Sequence, residues 1–243
     1  MRAWWARAVI LLALSVFADA TPGFSQSRAV DLELVLAVDC SRSIDDSEFA
    51  LQIQGYAAAF RHPAVLRAIQ SGERRSIAVT YVQWAGPFLQ NQAVGWTLIN
   101  DGESALEFAD RLQAAPRAFY GGGTSLSGIV DFGRTLFPKS GFSGRRRVID
   151  ISGDGINNSG RMAQSARDDA VREGITINGL AILTEIGALD EYFRQNLIGG
   201  EGSFVIAAED FDSFAQAILN KLIREIASAP ERILEFARSG IVP

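Results

Sequence analysis

The chain has 243 residues, 48% of them hydrophobic and 21% charged, with a formal net charge of −5. That length suits one α/β domain with a sizeable core, and the acidic balance argues against nucleic acid or an anionic membrane as partner, since both favour basic surfaces. A single cysteine, Cys40, excludes an intramolecular disulfide.

Arg2 and Arg7 precede the apolar run Ala8–Ala18, and Ala18-Asp19-Ala20 places small residues around a cleavage point. A charged start, a short apolar centre and an A-x-A end predict a secretory signal peptide over residues 1–20, and hence a periplasmic or secreted protein. The run is shorter than the roughly 20 apolar residues of a membrane span, so no stable membrane insertion is expected after cleavage. An uncleaved anchor, or cleavage nearer Ser25 or Ser27, are the alternatives. Removing residues 1–20 takes away Arg2, Arg7 and Asp19, which leaves 21 basic and 27 acidic residues and a net charge of −6.

The next run, Leu32-Glu33-Leu34-Val35-Leu36-Ala37-Val38, is short, branched and nearly all apolar, the pattern of a strand buried on both faces of a parallel sheet. It ends in Asp39-Cys40-Ser41-Arg42-Ser43, which sends three oxygen side chains from the strand end at alternate positions. Ligands of open α/β sheets gather beyond the carboxyl ends of the strands, and hydroxyl and carboxylate oxygens suit magnesium, manganese or calcium. Cys40 reads as a small residue packed inward under this loop. His62, the single histidine, stands beside Pro63 and reads as a surface or capping residue.

Asp45 and Glu48 have the spacing of a capping box, and Phe49, Ile53, Tyr56, Ala57 and Phe60 continue at helical intervals, predicting a helix over 46–61. Ser76–Trp84 and Ala93–Ile99 read as strands joined through Gly86-Pro87, a link short enough to make them antiparallel. A helix over 104–113 follows, and then Gly121-Gly122-Gly123-Thr124 opens an amphipathic stretch marked by Leu126, Ile129, Val130, Gly133, Leu136 and Phe137. The run Arg145-Arg146-Arg147 reads as a solvated loop before the buried strand Val148–Ser152. That strand ends in Gly153-Asp154-Gly155, a second carboxylate at a strand end, between glycines that permit a sharp turn. Helices over 162–172, 189–197 and 211–226 alternate with strands over 175–183 and 203–207. The alternation predicts an α/β, doubly wound, mostly parallel Rossmann-like sheet with one antiparallel strand and helices on both faces. Residues 28–228 form the domain and 229–243 a tail, in which Ile233, Leu234 and Phe236 offer docking side chains.

Asp39, Ser41, Ser43, Thr124 and Asp154, in this order and on three strand-end loops, resemble the metal-ion-dependent adhesion site (MIDAS) of the von Willebrand factor A (vWA) domain. The likeness spans roughly residues 30–227 and is closest to secreted bacterial vWA-like proteins whose function is not characterised. It implies a metal site built from these five residues, with Ser41 and Ser43 as direct ligands. Thr124 would bind directly or through water, and Asp39 and Asp154 through water. Magnesium is the implied cation, with manganese or calcium as alternatives. It also implies a protein partner that completes the site with an Asp or Glu carboxylate, and no enzymatic activity. Any one of the five residues would serve equally well as a turn or helix cap.

Two other readings stay open on the residues alone: an extracytoplasmic metal-dependent hydrolase, and a vWA-like scaffold that uses no metal. A haloacid-dehalogenase-type phosphatase would want a second Asp where Ser41 stands. No G-x-S-x-G elbow, G-x-G-x-x-G loop or P-loop lysine occurs, and one histidine gives little material for a Ser-His-Asp arrangement.

Overall fold

Six strands form one sheet in the order β3-β2-β1-β4-β5-β6 in the computed structural model, which describes residues 27–227. The expected leader (1–20) and tail (229–243) lie outside the described residues. The strands are β1 (Arg28–Asp39), β2 (Ile77–Trp84), β3 (Gln90–Ile99), β4 (Phe142–Gly153), β5 (Ile175–Ile182) and β6 (Val205–Ala208). All neighbours run parallel except β2 and β3, which pair antiparallel as expected. The sheet carries α1 (Asp46–Arg61), α2 (Pro63–Gln70), α3 (Gly102–Ala114), α4 (Leu126–Leu136), α5 (Ala163–Arg172), α6 (Leu189–Asn196) and α7 (Phe211–Ala227).

The apolar run of β1 explains its central place. Successive side chains point to opposite faces, so Leu34, Leu36 and Val38 enter a core with Tyr56, Phe60, Phe108 and Phe214, from α1, α3 and α7. Val35 and Ala37 enter a second core with Ile129, Val130 and Phe193, from α4 and α6. Edge-to-face pairs tie the first core together: Phe60 and Phe108 have ring centroids 4.8 Å apart, Tyr56 and Phe214 5.6 Å apart. β3, at the sheet edge, alternates exposed and buried residues instead of being apolar throughout.

One local expectation is met and one is corrected. His62 both ends α1 and caps α2, its Nδ1 accepting from the Ala64 amide at 3.2 Å. The short helix α2 was not among the expected elements; Pro63 starts it, since proline at the first helical turn gives up a hydrogen bond that no helix makes there. Arg145, Arg146 and Arg147 lie within a strand, not a loop, because β4 begins at Phe142 and pairs with the early half of β1, Arg28 opposite Phe142. The Arg146 guanidinium donates to the carbonyls of Glu225 (2.9 Å) and Ile226 (3.2 Å), satisfying the last turn of α7.

Candidate metal centre

β1 and β4 are adjacent and parallel, with Val38 opposite Ser152, so the chain leaves both strands at one sheet edge and places Asp39 beside the Gly153-Asp154 turn. The glycines around Asp154 are required by space. A Cβ on Gly153 would lie 2.9 Å from Asp39 Oδ2, and one on Gly155 would lie 3.0 Å from Thr124 Oγ1. The loops after β1 and β4 and the loop before α4 therefore approach one another as closely as backbone without side chains allows.

Asp39 is completely buried. Its Oδ1 accepts from the Ser41 amide at 2.7 Å, while Oδ2 has no hydrogen-bond partner among the described residues. Ser43 Oγ donates to Asp154 Oδ1 at 2.8 Å and lies 3.3 Å from Ser41 Oγ. Thr124 is held through its backbone: its amide donates to Asn158 Oδ1 (2.9 Å) and its carbonyl accepts from the Asn158 amide (3.0 Å). Its hydroxyl is left facing the Asp154-Gly155 turn. All five residues singled out in the sequence are thus brought to one place.

Burial, and then the charge of nearby Asp154, pushes the Asp39 carboxyl up to about 8. Asp154 is also raised, first by burial and further by Glu185 and Glu48, against the lowering effect of the Ser43 hydrogen bond. Two carboxylates share a nearly water-free corner, a place that favours a cation. Among the described residues no group of three His, Cys, Asp or Glu side chains is arranged to hold a metal; three of the five side chains here are hydroxyls, which suit a hard cation. Cys40 packs inward as expected, and burial followed by the Asp39 charge pushes its thiol far above the range where a thiolate forms.

Three supporting residues were not singled out from the sequence. The Arg117 side chain, 6% exposed, donates to the carbonyls of Phe119 (2.7 Å) and Ile44 (2.6 Å) and pairs with Asp46 at 2.8 Å. It clamps the segment after α3 onto the Asp39–Ile44 loop. Buried Gln52 donates to the Asp39 carbonyl at 3.3 Å, and Asn158 orients Thr124. A lone arginine in a loop and a glutamine within an amphipathic helix carry no sequence signal of such roles. Ser125 caps α4, its Oγ accepting from the Gly128 amide (3.1 Å) and donating to the Ser159 carbonyl (2.9 Å). Ser125→Ala is expected to cost about 1 kcal/mol, measured as a lower urea midpoint with an unchanged slope.

A family described as "Protein of unknown function (DUF1194)" matches residues 29–230. No curated protein matches the chain. Proximal thread matrix protein 1 from the mussel byssus is similar in structure, with 17% identity and a TM-score of 0.61 over 83% of this chain and 48% of that one. A further structure of the same byssus protein, with 49% of its chain covered, has a zinc-occupied MIDAS motif. A von Willebrand factor type A structure from Catenulispora acidiphila gives 16% identity and a TM-score of 0.52, covering 82% of this chain and 42% of that one. For the pilus adhesin SpaC from Lactobacillus rhamnosus GG the values are 12% and 0.52, with 82% and 31% covered. The chain thus spans half or less of the length of these proteins, and at such identities the likeness concerns the fold. The fold is that of a vWA domain, and the chain belongs to the DUF1194 family of proteins of unknown function.

Proposed function

We propose that this protein is an exported, non-enzymatic binding module that holds a divalent cation at Asp39, Ser41, Ser43, Thr124 and Asp154 and through it engages the carboxylate of a partner protein. The observation that carries this reading is the Asp39 corner: a buried Oδ2 without a partner, beside a second buried carboxylate and three hydroxyls. Capping alone leaves that oxygen unexplained, since an unmet buried polar atom costs about 1–3 kcal/mol. Ser41, Ser43 and Thr124 would hold the ion through neutral oxygens, and Asp39 and Asp154 would supply acceptors for its waters. Bound there, the cation supplies a positive charge that attracts an incoming carboxylate.

The surroundings favour docking over catalysis. Phe88, Tyr120 and Ile156 stand exposed on the loops around the site, with Phe88 93% and Tyr120 72% accessible. Exposed apolar groups gathered at one edge suit a protein contact. Related structures of a byssus thread matrix protein and a pilus adhesin support the same class of role. Export rests on the leader composition in residues 1–20; among the described residues no helix is long and apolar enough to cross a membrane.

Partners recovered on immobilised protein in magnesium should be released by chelator. Asp39→Ala and Asp154→Ala should each weaken their capture at least tenfold, the equivalent of about 1.4 kcal/mol, whereas the distant Lys139→Ala should not. Partners that stay bound under all these conditions would refute the metal-dependent contact and leave the fold intact. Mass spectrometry of the protein from its native host checks export: the expected amino terminus follows Ala20, and an intact Met1 in the cytoplasmic fraction would refute it.

A further inference from the structure

The arginine run of β4 belongs to a feature remote from the metal centre. Arg147 pairs with Ile175, the first residue of β5, so residues 142–146 extend past the start of that strand and leave one edge of β4 uncovered. A cavity of about 630 Å³ opens there, at the amino ends of β5 and β6, whereas the metal centre lies at the carboxyl ends of the strands. Its lining includes Arg145, Arg146, Arg147 and Arg224, against a single acidic residue, Glu201. This is a concentrated positive surface on a chain whose net charge is −5.

Arg147 and Arg224 are held in place without an ion pair to a described residue. Arg224 sits over the Phe204 ring, its Cζ 4.0 Å from the centroid. Arg147 rests 6.0 Å from the Phe137 ring centroid and donates to the Glu173 carbonyl, which uses part of its donor set. Arg145 pairs with Glu73 at the rim. Gly174, Gly200 and Gly202, with φ of +71°, +92° and +67°, turn the surrounding loops. A Cβ on Gly202 would meet nothing within 4 Å, so the mouth stays clear on that side. Guanidiniums fixed by stacking present their forked donors at little further entropic cost, the arrangement that suits the oxygens of phosphate and carboxylate groups.

We propose that this cavity is a binding site for a small polyanion carrying two or more phosphate or carboxylate groups. The volume falls within the range of small-molecule sites, and the paired oxyanions would span Arg224 on one wall and Arg145 with Arg147 on the other. This assignment is independent of the metal centre.

The test is calorimetric titration of the protein with pyrophosphate and, separately, with citrate, in chelator and at low salt. One-to-one binding of at least one probe is expected, and which of the two binds tells phosphate from carboxylate chemistry. Arg147→Gln combined with Arg224→Gln should weaken it at least tenfold, and Arg67→Gln, on the exposed face of α2, should leave it unchanged. Should the double variant fail to fold, Arg145→Gln alone, at an exposed rim position, should weaken binding several-fold. The proposal is overturned if neither probe binds one to one, or if the folded arginine variants bind as the parent does.

Discussion

Magnesium or manganese at a hundredfold excess over its Kd is expected to stabilise the protein by about 2.7 kcal/mol, the increment for a ligand that binds only the folded state. In a thermal melt this is a rise in midpoint that chelator reverses. Ser41→Ala with Ser43→Ala should abolish most of the rise, because these hydroxyls are the proposed direct ligands. They are also good positions to change. Ser43 is exposed, and the 2.7 Å bond from Ser41 to Asp39 Oδ1 comes from the backbone amide, which alanine retains. Loss of Ser43 Oγ removes one hydrogen bond to Asp154, so the double variant should melt somewhat below the parent even without metal. The decisive quantity is therefore the difference between midpoints with and without cation. An unchanged difference in the double variant would remove these residues from the site. The same melt with calcium orders the three cations, since magnesium demands tighter octahedral geometry than calcium does.

The parts of the site legible in the sequence were those written as short patterns at strand ends. β1 announces itself by its apolar run, and whatever follows a buried parallel strand must emerge at the sheet edge where ligands bind. Asp39, Ser41 and Ser43 followed from that, and Asp154 followed likewise from the Val148–Ser152 run. The structure adds why glycines flank Asp154: side chains at 153 or 155 would collide with Asp39 or Thr124. What could not be read was any role that depends on residues distant in the chain. Arg117 reaches Ile44 across 73 positions, and Arg146 reaches Glu225 across 79, with no periodicity to mark either. The arginine run misled for a related reason. Charge suggested a solvated loop, but backbone pairing with the early half of β1 extends the strand through it.

Nothing in the sequence marks Lys221 as a core residue, and its replacement should have the largest effect on stability. It lies on α7 one turn before Glu225, and both are buried, Lys221 completely. The ammonium is in direct contact with Asp150 Oδ1 of β4 and lies 3.3 Å from Glu225 Oε2, while Glu225 Oε1 accepts from Asn178 at 2.6 Å. Burial, then the Glu225 charge, holds the Asp150 carboxyl well above its ordinary value of 3.8, and Lys221 pulls in the opposite direction. Lys221→Met removes the cation in contact with Asp150 and near Glu225 and should cost about 3–5 kcal/mol at neutral pH, read from urea denaturation. The sign of the pH dependence follows from the raised Asp150. A carboxyl that binds its proton more tightly folded than unfolded contributes most stability below its unfolded value and loses it as pH rises through the folded one. Without Lys221 that loss is no longer opposed, so the deficit of the variant should shrink as pH falls from neutrality toward the ordinary carboxylate range and widen as pH rises. Combining Lys221→Met with Asp150→Asn and Glu225→Gln removes the stranded charges and should restore much of the stability, since a neutral replacement of a buried ion cluster often costs little. A deficit that is independent of pH, or that persists in the triple variant, would mean that packing of the lysine stem, rather than its charge, is what α7 requires.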